Sequence, residues 1–272
     1  MKTDFSELTA CAIEAATKAG EILRAGFGTH FRISSKEGRN NLVTEYDTKS
    51  ENFILDFIKS KFPHHFFLAE ESGESGTVAS DEVQWVIDPL DGTVNFAHGI
   101  PIFSVSIAAT LHGETLCGVV YQPILDELFV AEKGKGSFMN GKPLHVSSSH
   151  DITSSFLVTG FPYNIDSNPH YCLETFVDIV KQGIPVRRLG SAAMDLCYVA
   201  CGRFDGFFEI NLHPWDVAAG VLILSEAGGK ITQYDQSDYS IFDHTILATN
   251  GLLHSPIAEI LLANYRKFQS KK

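Results

Sequence analysis

The sequence predicts a mixed α/β (α+β) fold, with an antiparallel sheet in the N-terminal half and an α/β pattern in the C-terminal half. Three observations lead to this class. Apolar residues recur at helical spacing over residues 5–25, strand patterns with short turns follow one another over residues 102–132, and helical and strand patterns alternate after about residue 150. The chain of 272 residues is long enough for one large domain or two packed ones.

The composition is that of a globular protein and argues against several functional classes. Hydrophobic residues make up 44% of the chain and charged residues 20%, while the formal net charge is -12. An acidic chain repels phosphate backbones, so we expect no direct nucleic-acid binding. No run approaches the roughly 18 apolar residues that span a bilayer. Five scattered cysteines and an N-terminus without a secretory pattern predict reduced thiols and a cytoplasmic location.

The first helix is predicted over residues 5–25, and Gly26 and Gly28 indicate where it ends. Residues 31–43 are polar and basic, which indicates a loop or a loose hairpin. A second helix is predicted from about residue 44 to Lys61, because an apolar stripe continues until Pro63.

Two short apolar runs end in carboxylates. Residues 66–69 precede Glu70 and Glu71, and residues 84–87 precede the segment from Asp88 to Thr93. Both runs are predicted to be strands that deliver their carboxylates into loops. The antiparallel strands that follow are predicted at residues 102–110, 115–122 and 127–132, and Asn140-Gly141 is typical of a two-residue hairpin.

The C-terminal half alternates between strands and helices. Strands are predicted at 156–159, 204–210, 230–234 and 246–249, and helices at 171–181, 191–201, 217–226 and from about Ser255 onward. We expect residues 1–150 and residues 151–272 to form two tightly packed halves with a cleft between them.

The carboxylates Glu70, Glu71, Asp88 and Asp91 lie within 22 positions, and none has a basic residue within three positions. Carboxylates gathered without counter-charges cost free energy unless a cation holds them, and oxygen-only ligands suit Mg²⁺, Mn²⁺ or Ca²⁺. The pattern therefore favours a metal-binding N-terminal half. Solvated acidic loops are the alternative.

The segment from Asp88 to Thr93 has features that suit a ligand. Pro89 stiffens the turn, Gly92 lets the backbone approach a ligand closely, and Thr93 supplies a hydroxyl for a water molecule. If a helical turn follows, its amides favour a phosphate oxygen. A β-turn closed by a helix cap at Thr93 is the simpler interpretation.

Two long motifs give the sequence a specific resemblance. Residues 85–96 (WVIDPLDGTVNF) resemble the first signature of the inositol monophosphatase family, and residues 215–220 (WDVAAG), continuing to EAGG at 226–229, resemble the second. Glu70-Glu71-Ser72 and residues 190–193 (GSAA) also fall where the family has them. The resemblance therefore covers nearly the whole chain.

The resemblance implies a layered αβαβα sandwich and a Mg²⁺-dependent phosphate monoester hydrolase that binds two or three ions. It implies metal ligation by Glu70, Asp88, the Leu90 carbonyl, Asp91 and Asp216, and a water held by Thr93 and Asp47 and by Glu70 or Glu71. Gly92 and Thr93 would bind the phosphate, and Gly190, Ser191, Ala192 and Glu209 would face the alcohol part of the substrate, with Asp216 beside the leaving group. Lys36 matches a basic loop position that would attract phosphate. The resemblance to the family also implies a homodimer.

Some of these residues also have simpler interpretations. Thr44 and Asp47 have the spacing of a capping box, Asp216 could cap a helix that begins at Val217, and Glu209 could be an exposed residue at a strand end. Lys36 could be a solvated lysine.

Three other functions remain open. A haloacid dehalogenase-like phosphatase would use a D-x-D-x-T motif, whereas here the second Asp is three residues on. The same fold could act on histidinol phosphate, fructose 1,6-bisphosphate or 3′-phosphoadenosine 5′-phosphate, and the segment from Gly160 to Pro169 is where substrate selection is plausible. A regulatory binding protein of the transcription or ribosome machinery is the alternative from another class.

Overall fold

The computed structural model describes residues 6–35, 41–75 and 82–269. The α-helices in this part of the chain are α1 (Glu7–Gly26), α2 (Glu45–Lys61), α3 (Thr93–Ala97), α4 (Cys172–Lys181), α5 (Ala192–Ala200), α6 (Pro214–Glu226) and α7 (His254–Gln269). Short 3₁₀ turns lie at Ile152–Ser154, Ile165–Ser167 and Pro169–Tyr171. No helix within these residues is both long enough and apolar enough to cross a membrane.

The strands fall into one hairpin and two larger sheets. The hairpin pairs β1 (Ile33–Ser35) with β2 (Leu42–Thr44). The next eight strands are β3 (Phe66–Ala69), β4 (Gly73–Glu74), β5 (Gln84–Asp91), β6 (Ser104–Leu111), β7 (Glu114–Gln122), β8 (Glu127–Glu132), β9 (Ser137–Met139) and β10 (Lys142–Pro143). The last five are β11 (Leu157–Thr159), β12 (Val186–Arg187), β13 (Gly206–Ile210), β14 (Lys230–Thr232) and β15 (Thr245–Thr249).

The first sheet has eight strands in the order β10-β9-β8-β7-β6-β5-β3-β4. From β5 to β10 it is an antiparallel meander, whereas β3 pairs parallel with β5. The β9–β10 hairpin turns at Asn140 and Gly141, both with positive φ, as this dipeptide predicted. The second sheet has five strands in the order β12-β11-β13-β15-β14.

The first helical layer consists of α1 and α2, which cover one face of the eight-stranded sheet. Four alanines of α1 are fully buried and allow a close approach, and they pack with Ile54 and Ile58 of α2 and with Trp85 and Ile87 of β5. A Cβ at Gly20 would lie 2.4 Å from the Tyr121 ring of β7, so this glycine sets the distance between helix and sheet. Apolar burial on this scale is the main driving force for the layer.

The second helical layer consists of α5 and α6, which lie between the two sheets. One buried cluster joins Val86 and Val120 of the first sheet to the apolar residues of both helices and to Phe207 and Ile246 of the second sheet. Because both faces of these helices are covered, every residue of α5 is buried, including its polar ones.

The third helical layer consists of α4 and α7 on the outer face of the second sheet. Its buried cluster includes Ile179 of α4, Ile257 of α7 and Phe208 of β13. Phe207 and Phe208 therefore face opposite layers, as alternation along a strand requires. The order helix, sheet, helix, sheet, helix confirms the predicted layered αβαβα sandwich.

The predicted elements agree with the observed ones to within a few residues. The largest differences are that β5 continues to Asp91 rather than ending at residue 87, and that α6 begins at Pro214 rather than at Val217. The region from 31 to 43 forms the β1–β2 hairpin, with residues 36–40 outside the described part. The division into halves at residue 150 stays a prediction.

Candidate active site

The parallel pairing of β3 with β5 brings the first two carboxylate groups to one edge of the sheet. Ala69 pairs with Ile87, and the Glu70 amide donates to the Ile87 carbonyl at 3.2 Å. Glu70, directly after β3, therefore lies beside Asp88 of β5. The two apolar runs predicted strands that lead into carboxylates, but not that these strands would be neighbours.

Asp88 and Asp91 belong to β5 itself, so the expectation that they lie in a loop is wrong. Asp88 pairs with Ser106 and Asp91 with Ser104 of β6, and the register shifts between them because β5 has one extra residue there. Pro89 lacks the amide that a regular ladder would need at this point. The bulge places two carboxylates on one short stretch of strand.

The two carboxylates in the bulge are held by the chain. The Leu90 amide donates to Asp88 Oδ1 at 2.9 Å, and the Ser50 hydroxyl of α2 donates to the Pro89 carbonyl at 2.8 Å. Asp91 Oδ2 accepts from the Ser191 hydroxyl at 2.7 Å and from the Ala193 amide at 2.8 Å. Asp91 is thereby bound to the N-terminus of α5, where negative charge is favoured.

Asp216 occupies the third position of α6 and forms a capping box, since the His213 amide donates to its Oδ2 at 2.7 Å. The predicted capping role is therefore confirmed, although the cap belongs to a helix that begins two residues before Asp216. Its possible role as a metal ligand stays a prediction.

The four carboxylates act on one another electrostatically. Burial raises the pKa of Asp88 well above its usual range, and the charges of Glu70, Asp91 and Asp216 raise it further. Burial likewise raises the pKa of Asp91 to about 6 and that of Asp216 well above its ordinary value. The anionic forms are disfavoured in the protein alone, which is the condition that a bound cation reverses.

The donor set fits a hard divalent cation, because it consists of carboxylates and a backbone carbonyl. Within the described residues no hydrogen bond reaches Oδ2 of Asp88 or Oδ1 of Asp216, so each anchored side chain keeps an oxygen for a ligand. In that same part of the chain, no three His, Cys, Asp or Glu side chains are already grouped tightly enough to hold a metal ion.

Thr93 and Asp47 form a hydrogen-bonded pair beside the bulge. The Thr93 hydroxyl lies 2.8 Å from Asp47 Oδ1 and 3.0 Å from the Leu90 carbonyl. The other oxygen of Asp47 accepts from the Thr44 amide at 2.8 Å and from the Thr44 hydroxyl at 2.6 Å. Burial raises the pKa of Asp47 to about 6, despite these hydrogen bonds. The capping box is therefore confirmed, and the same side chain also holds Thr93.

Gly92 is required by conformation and by packing. Its φ is +95°, and a Cβ there would lie 2.9 Å from the Ile102 carbonyl oxygen and 3.3 Å from that of Gly190. The chain turns here from β5 into α3, whose first amides have no acceptor within the helix. Phosphate binding by Gly92 and Thr93 stays a prediction.

The residues predicted for the alcohol side lie close to the carboxylates. Asn95 of α3 donates to the Leu189 carbonyl at 2.8 Å, which holds the segment before Gly190 against α3. Glu209 of β13 is buried, and this burial raises its pKa to about 8. Ala192 is the first residue of α5 and Ser191 is its N-cap. The Ser191 hydroxyl donates its hydrogen bond to Asp91. Lys36 lies outside the described residues.

Sequence reasoning missed three polar residues at this site. Ser50 and Glu51 of α2 are buried, and Glu51 accepts from the Glu71 amide at 2.9 Å. Ser50 and Glu51 follow Asp47 by three and four positions, so these three residues face one side of the helix. This polar stripe is the sequence signal that could have identified them. Asn95 could not be found this way, because its acceptor Leu189 is 94 residues away.

Comparisons with known proteins agree with this geometry. The model of the inositol monophosphatase family matches residues 4–268. An inositol-1-monophosphatase of Synechocystis is 42% identical over 98% of this chain and 93% of its own length. The Nus factor SuhB of Escherichia coli K12 is 41% identical, covering 94% of both chains. A solved structure of SaIMPase-II with inositol monophosphate bound has a TM-score of 0.81 at 28% identity, covering 98% of this chain and 97% of the other.

These matches span the chain and include both motifs and every described residue of the candidate site. The chain therefore belongs to the inositol monophosphatase family.

Proposed function

We propose that this protein hydrolyses inositol monophosphate, or a similar small polyol phosphate, by Mg²⁺-dependent attack of water on phosphorus. The observation that carries the proposal is the placement of Glu70, Asp88 and Asp91 on the paired ends of β3 and β5, beside the Thr93–Asp47 pair. Asp216 acts electrostatically on Asp88 of this group. The carboxylates supply ligands for the metal, and the pair supplies a position for the water.

Family membership confirms that the chain is a phosphatase, as the two motifs predicted. The choice of substrate is supported by the name of the Synechocystis relative and by the inositol monophosphate in the SaIMPase-II structure. The composition supports a metal-dependent reaction as well, because a chain with a net charge of -12 needs local positive charge to bind a phosphate dianion.

Mg²⁺ ions, two or three in number, would be held by Glu70, Asp88, the Leu90 carbonyl, Asp91 and Asp216. When bound, they would offset the charge of the phosphate and lower the pKa of a water molecule. Their binding would also offset the burial and the neighbouring carboxylate charges that raise the pKa of Asp88.

The protein's own residues would position and deprotonate the attacking water. The Thr93 hydroxyl donates to Asp47, so its oxygen lone pairs are left to accept a hydrogen bond from water. Thr93 can pass a proton to Asp47, whose pKa of about 6 suits a base near neutral pH. Glu70 and Glu71 would hold the same water from another side. The water oxygen bonds to phosphorus and the ester bond breaks. The alcohol oxygen takes up a proton from solvent water, and Asp47 returns its proton to solvent, so the protons balance.

The substrate would lie between the bulge and the N-terminal ends of α3 and α5. The amides of Gly92 and Thr93 would bind phosphate oxygens. Gly190, Ser191, Ala192 and Glu209 would contact the alcohol part, and Asp216 would lie beside the leaving oxygen. Lys36 would attract the phosphate.

The proposal is tested by phosphate release from inositol 1-phosphate, glycerol 2-phosphate, histidinol phosphate, fructose 1,6-bisphosphate and 3′-phosphoadenosine 5′-phosphate, each with Mg²⁺ and with EDTA. We expect fastest release from inositol 1-phosphate, lost in EDTA. Faster release from another ester would identify that ester as the preferred substrate. No release from any ester would contradict the proposed activity.

A second function is favoured by one comparison, because a relative with 41% identity is named as a Nus factor. We therefore propose that the chain also acts as a regulatory partner of the transcription machinery. Asp91→Asn separates the roles, since a regulatory effect that persists in this variant is independent of hydrolysis. Loss of the effect together with activity would contradict an independent role.

We also propose a homodimer in the cytoplasm. The five cysteines are free thiols in the structure, which suits a reducing compartment. Light scattering on the purified protein would show about twice the chain mass of 29.9 kDa, whereas a mass near that of one chain would contradict the dimer.

A further inference from the structure

Arg188 is a cation that the chemistry described above does not use. It directly follows β12, and its side chain is exposed. Among the described residues, none forms a hydrogen bond or an ion pair with its guanidinium. The neighbouring Arg187 differs, because its guanidinium lies over the Phe156 ring at 4.9 Å. In a chain with a net charge of -12, Arg188 therefore keeps its donors for a ligand.

The guanidinium of Arg188 lies at the turn that enters the candidate active site. A Cβ built on Gly190 would lie 3.6 Å from Arg188 Nη1 and 3.3 Å from Asn95 Nδ2. A Cβ built on Gly92 would lie 3.3 Å from the Gly190 carbonyl oxygen. Because Gly190 has no side chain and a φ of +84°, the space between its backbone and the guanidinium stays open. Arg188 thus borders the residues proposed to bind the substrate.

The strand pairing brings Arg188 and Glu209 to the same edge of the second sheet. The middle strand β11 runs parallel to β12 and to β13, and Val158 is paired with Arg187 on one side and Phe207 on the other. Arg188 and Glu209 therefore lie at the carboxyl ends of strands about 10 Å apart, with β11 between them. This edge of parallel strands is where α/β sheets bind ligands.

Gly160 leaves the space between these two side chains open. It directly follows β11, and a Cβ there would lie 2.2 Å from Glu209 Oε1. The Glu209 carboxylate therefore extends from β13 over the backbone of the middle strand, toward the side on which β12 lies. Burial raises the pKa of Glu209 to about 8, and the positive charge of Arg188 acts in the opposite direction. The two groups are thus close enough to influence each other.

We infer that Arg188 is a specificity-determining residue that donates hydrogen bonds from its guanidinium to hydroxyl oxygens of the substrate's alcohol part, while Glu209 accepts one from a neighbouring hydroxyl. A hydroxyl both donates and accepts, so a fork of donors and a carboxylate at one sheet edge suit a ring with several hydroxyls. The inference rests on the proposed function and deepens it, because it gives a reason why a polyol is preferred to an ester without hydroxyls.

The test compares Arg188→Met with the unchanged protein on inositol 1-phosphate and on cyclohexyl phosphate, both with Mg²⁺. Cyclohexyl phosphate has the same six-carbon ring and the same phosphate, but no hydroxyls. It is measured as a substrate or, where turnover is too slow, as a competitive inhibitor.

Loss of hydrogen bonds from a charged donor corresponds to a KM about tenfold higher for inositol 1-phosphate, with kcat within about twofold. The constant for cyclohexyl phosphate should rise by less than about twofold, because only screened attraction of its phosphate is lost. Arg266→Met, on α7 in the outer helical layer, removes the same charge and should change neither constant.

An equal rise for both esters would show that Arg188 attracts the phosphate rather than the alcohol part, and it would overturn the inference. Unchanged constants for both esters would also overturn it, and either result leaves the phosphatase proposal intact. If the unchanged protein hydrolysed neither ester, the proposed function would fail, and calorimetric binding of both esters would decide the inference. Weaker binding of inositol 1-phosphate alone by Arg188→Met would support it, while any other result would overturn it.

Discussion

At the residue scale, Asp47 has two structural tasks that the sequence presented as alternatives. One of its oxygens completes the capping box with Thr44, and the other accepts from Thr93. A carboxylate has lone pairs enough for both tasks. The spacing of Thr44 and Asp47 predicted the cap, whereas the contact with Thr93 spans 46 residues and had to come from the fold or from the family resemblance.

Thr93→Val tests the water-positioning role. The variant keeps the shape of the side chain and removes the hydroxyl that lies 2.8 Å from Asp47. We expect kcat to fall by about 100-fold or more, within the range for loss of a proton-transfer group, with little change in KM. Thr93→Ser keeps the hydroxyl and should retain most of the activity. Similar kcat values for Val and Ser at this position would contradict the role.

Gly160→Ala tests the contact with Glu209. The added Cβ would lie 2.2–2.4 Å from the atoms of the carboxylate, so Glu209 must move. We expect a KM for inositol 1-phosphate raised several-fold, as a displaced polar contact costs about 1 kcal/mol. The control is Gly206→Ala on β13, whose Cβ would meet only side-chain atoms, at 3.3 Å. An unchanged KM in Gly160→Ala would show that Glu209 does not contact the substrate.

At the scale of elements, the periodicity of the sequence predicts where strands and helices lie. It does not predict which elements pack or pair with one another. The succession of strand patterns with short turns over residues 102–132 predicted a meander, and the structure has it. The parallel pairing of β3 with β5 and the contact of Ser191 with Asp91, 100 residues away, have no local signal. Chain spacing fixes which face a residue occupies and leaves open which element covers that face.

Gly118→Ala tests the packing of α6 against β7. A Cβ at Gly118 would lie 2.8 Å from both the Cα and the carbonyl oxygen of Ala219, and backbone atoms of a helix cannot move aside alone. Overpacking of this kind costs about 2 kcal/mol, so thermal unfolding should occur several degrees lower. Because α6 carries Asp216, activity should fall in the folded protein as well. Unchanged activity with lowered stability would show that Asp216 tolerates a shift of its helix.

His254 at the start of α7 should make stability depend on pH. It is buried between the hydroxyls of Thr232 and Thr249, each 2.9 Å from a ring nitrogen, and burial lowers its pKa to about 4. The unfolded chain, with a pKa near 6.5, binds a proton more readily, so the contribution of His254 to stability is fully present above that pH and is lost as the pH falls toward 4.

Chemical denaturation between pH 7 and pH 4 measures this dependence. The free energy of unfolding should decrease by up to about 3 kcal/mol through His254, and the decrease should be smaller in His254→Gln. Parallel curves for the two proteins over this range would contradict the assignment.

At the scale of the whole molecule, five layers bring residues from distant parts of the chain to one candidate site. Sequence motifs identified the family and most of the candidate site, because the motifs contain the carboxylates themselves. They did not identify Ser50, Glu51 or Asn95, which support the site from α2 and α3. Supporting contacts of this kind depend on how layers stack, and that is a property of the folded chain.

The central claim is that the carboxylates at the end of β5 hold the metal on which hydrolysis depends. The most direct measurement is the rate of phosphate release from inositol 1-phosphate as Mg²⁺ is added, for the unchanged protein and for Asp91→Asn. The account predicts a rate that rises from near zero to saturation in the first, and one at least 100-fold lower in the second, with the fold retained. Release that does not need Mg²⁺, or that persists undiminished in Asp91→Asn, would contradict it.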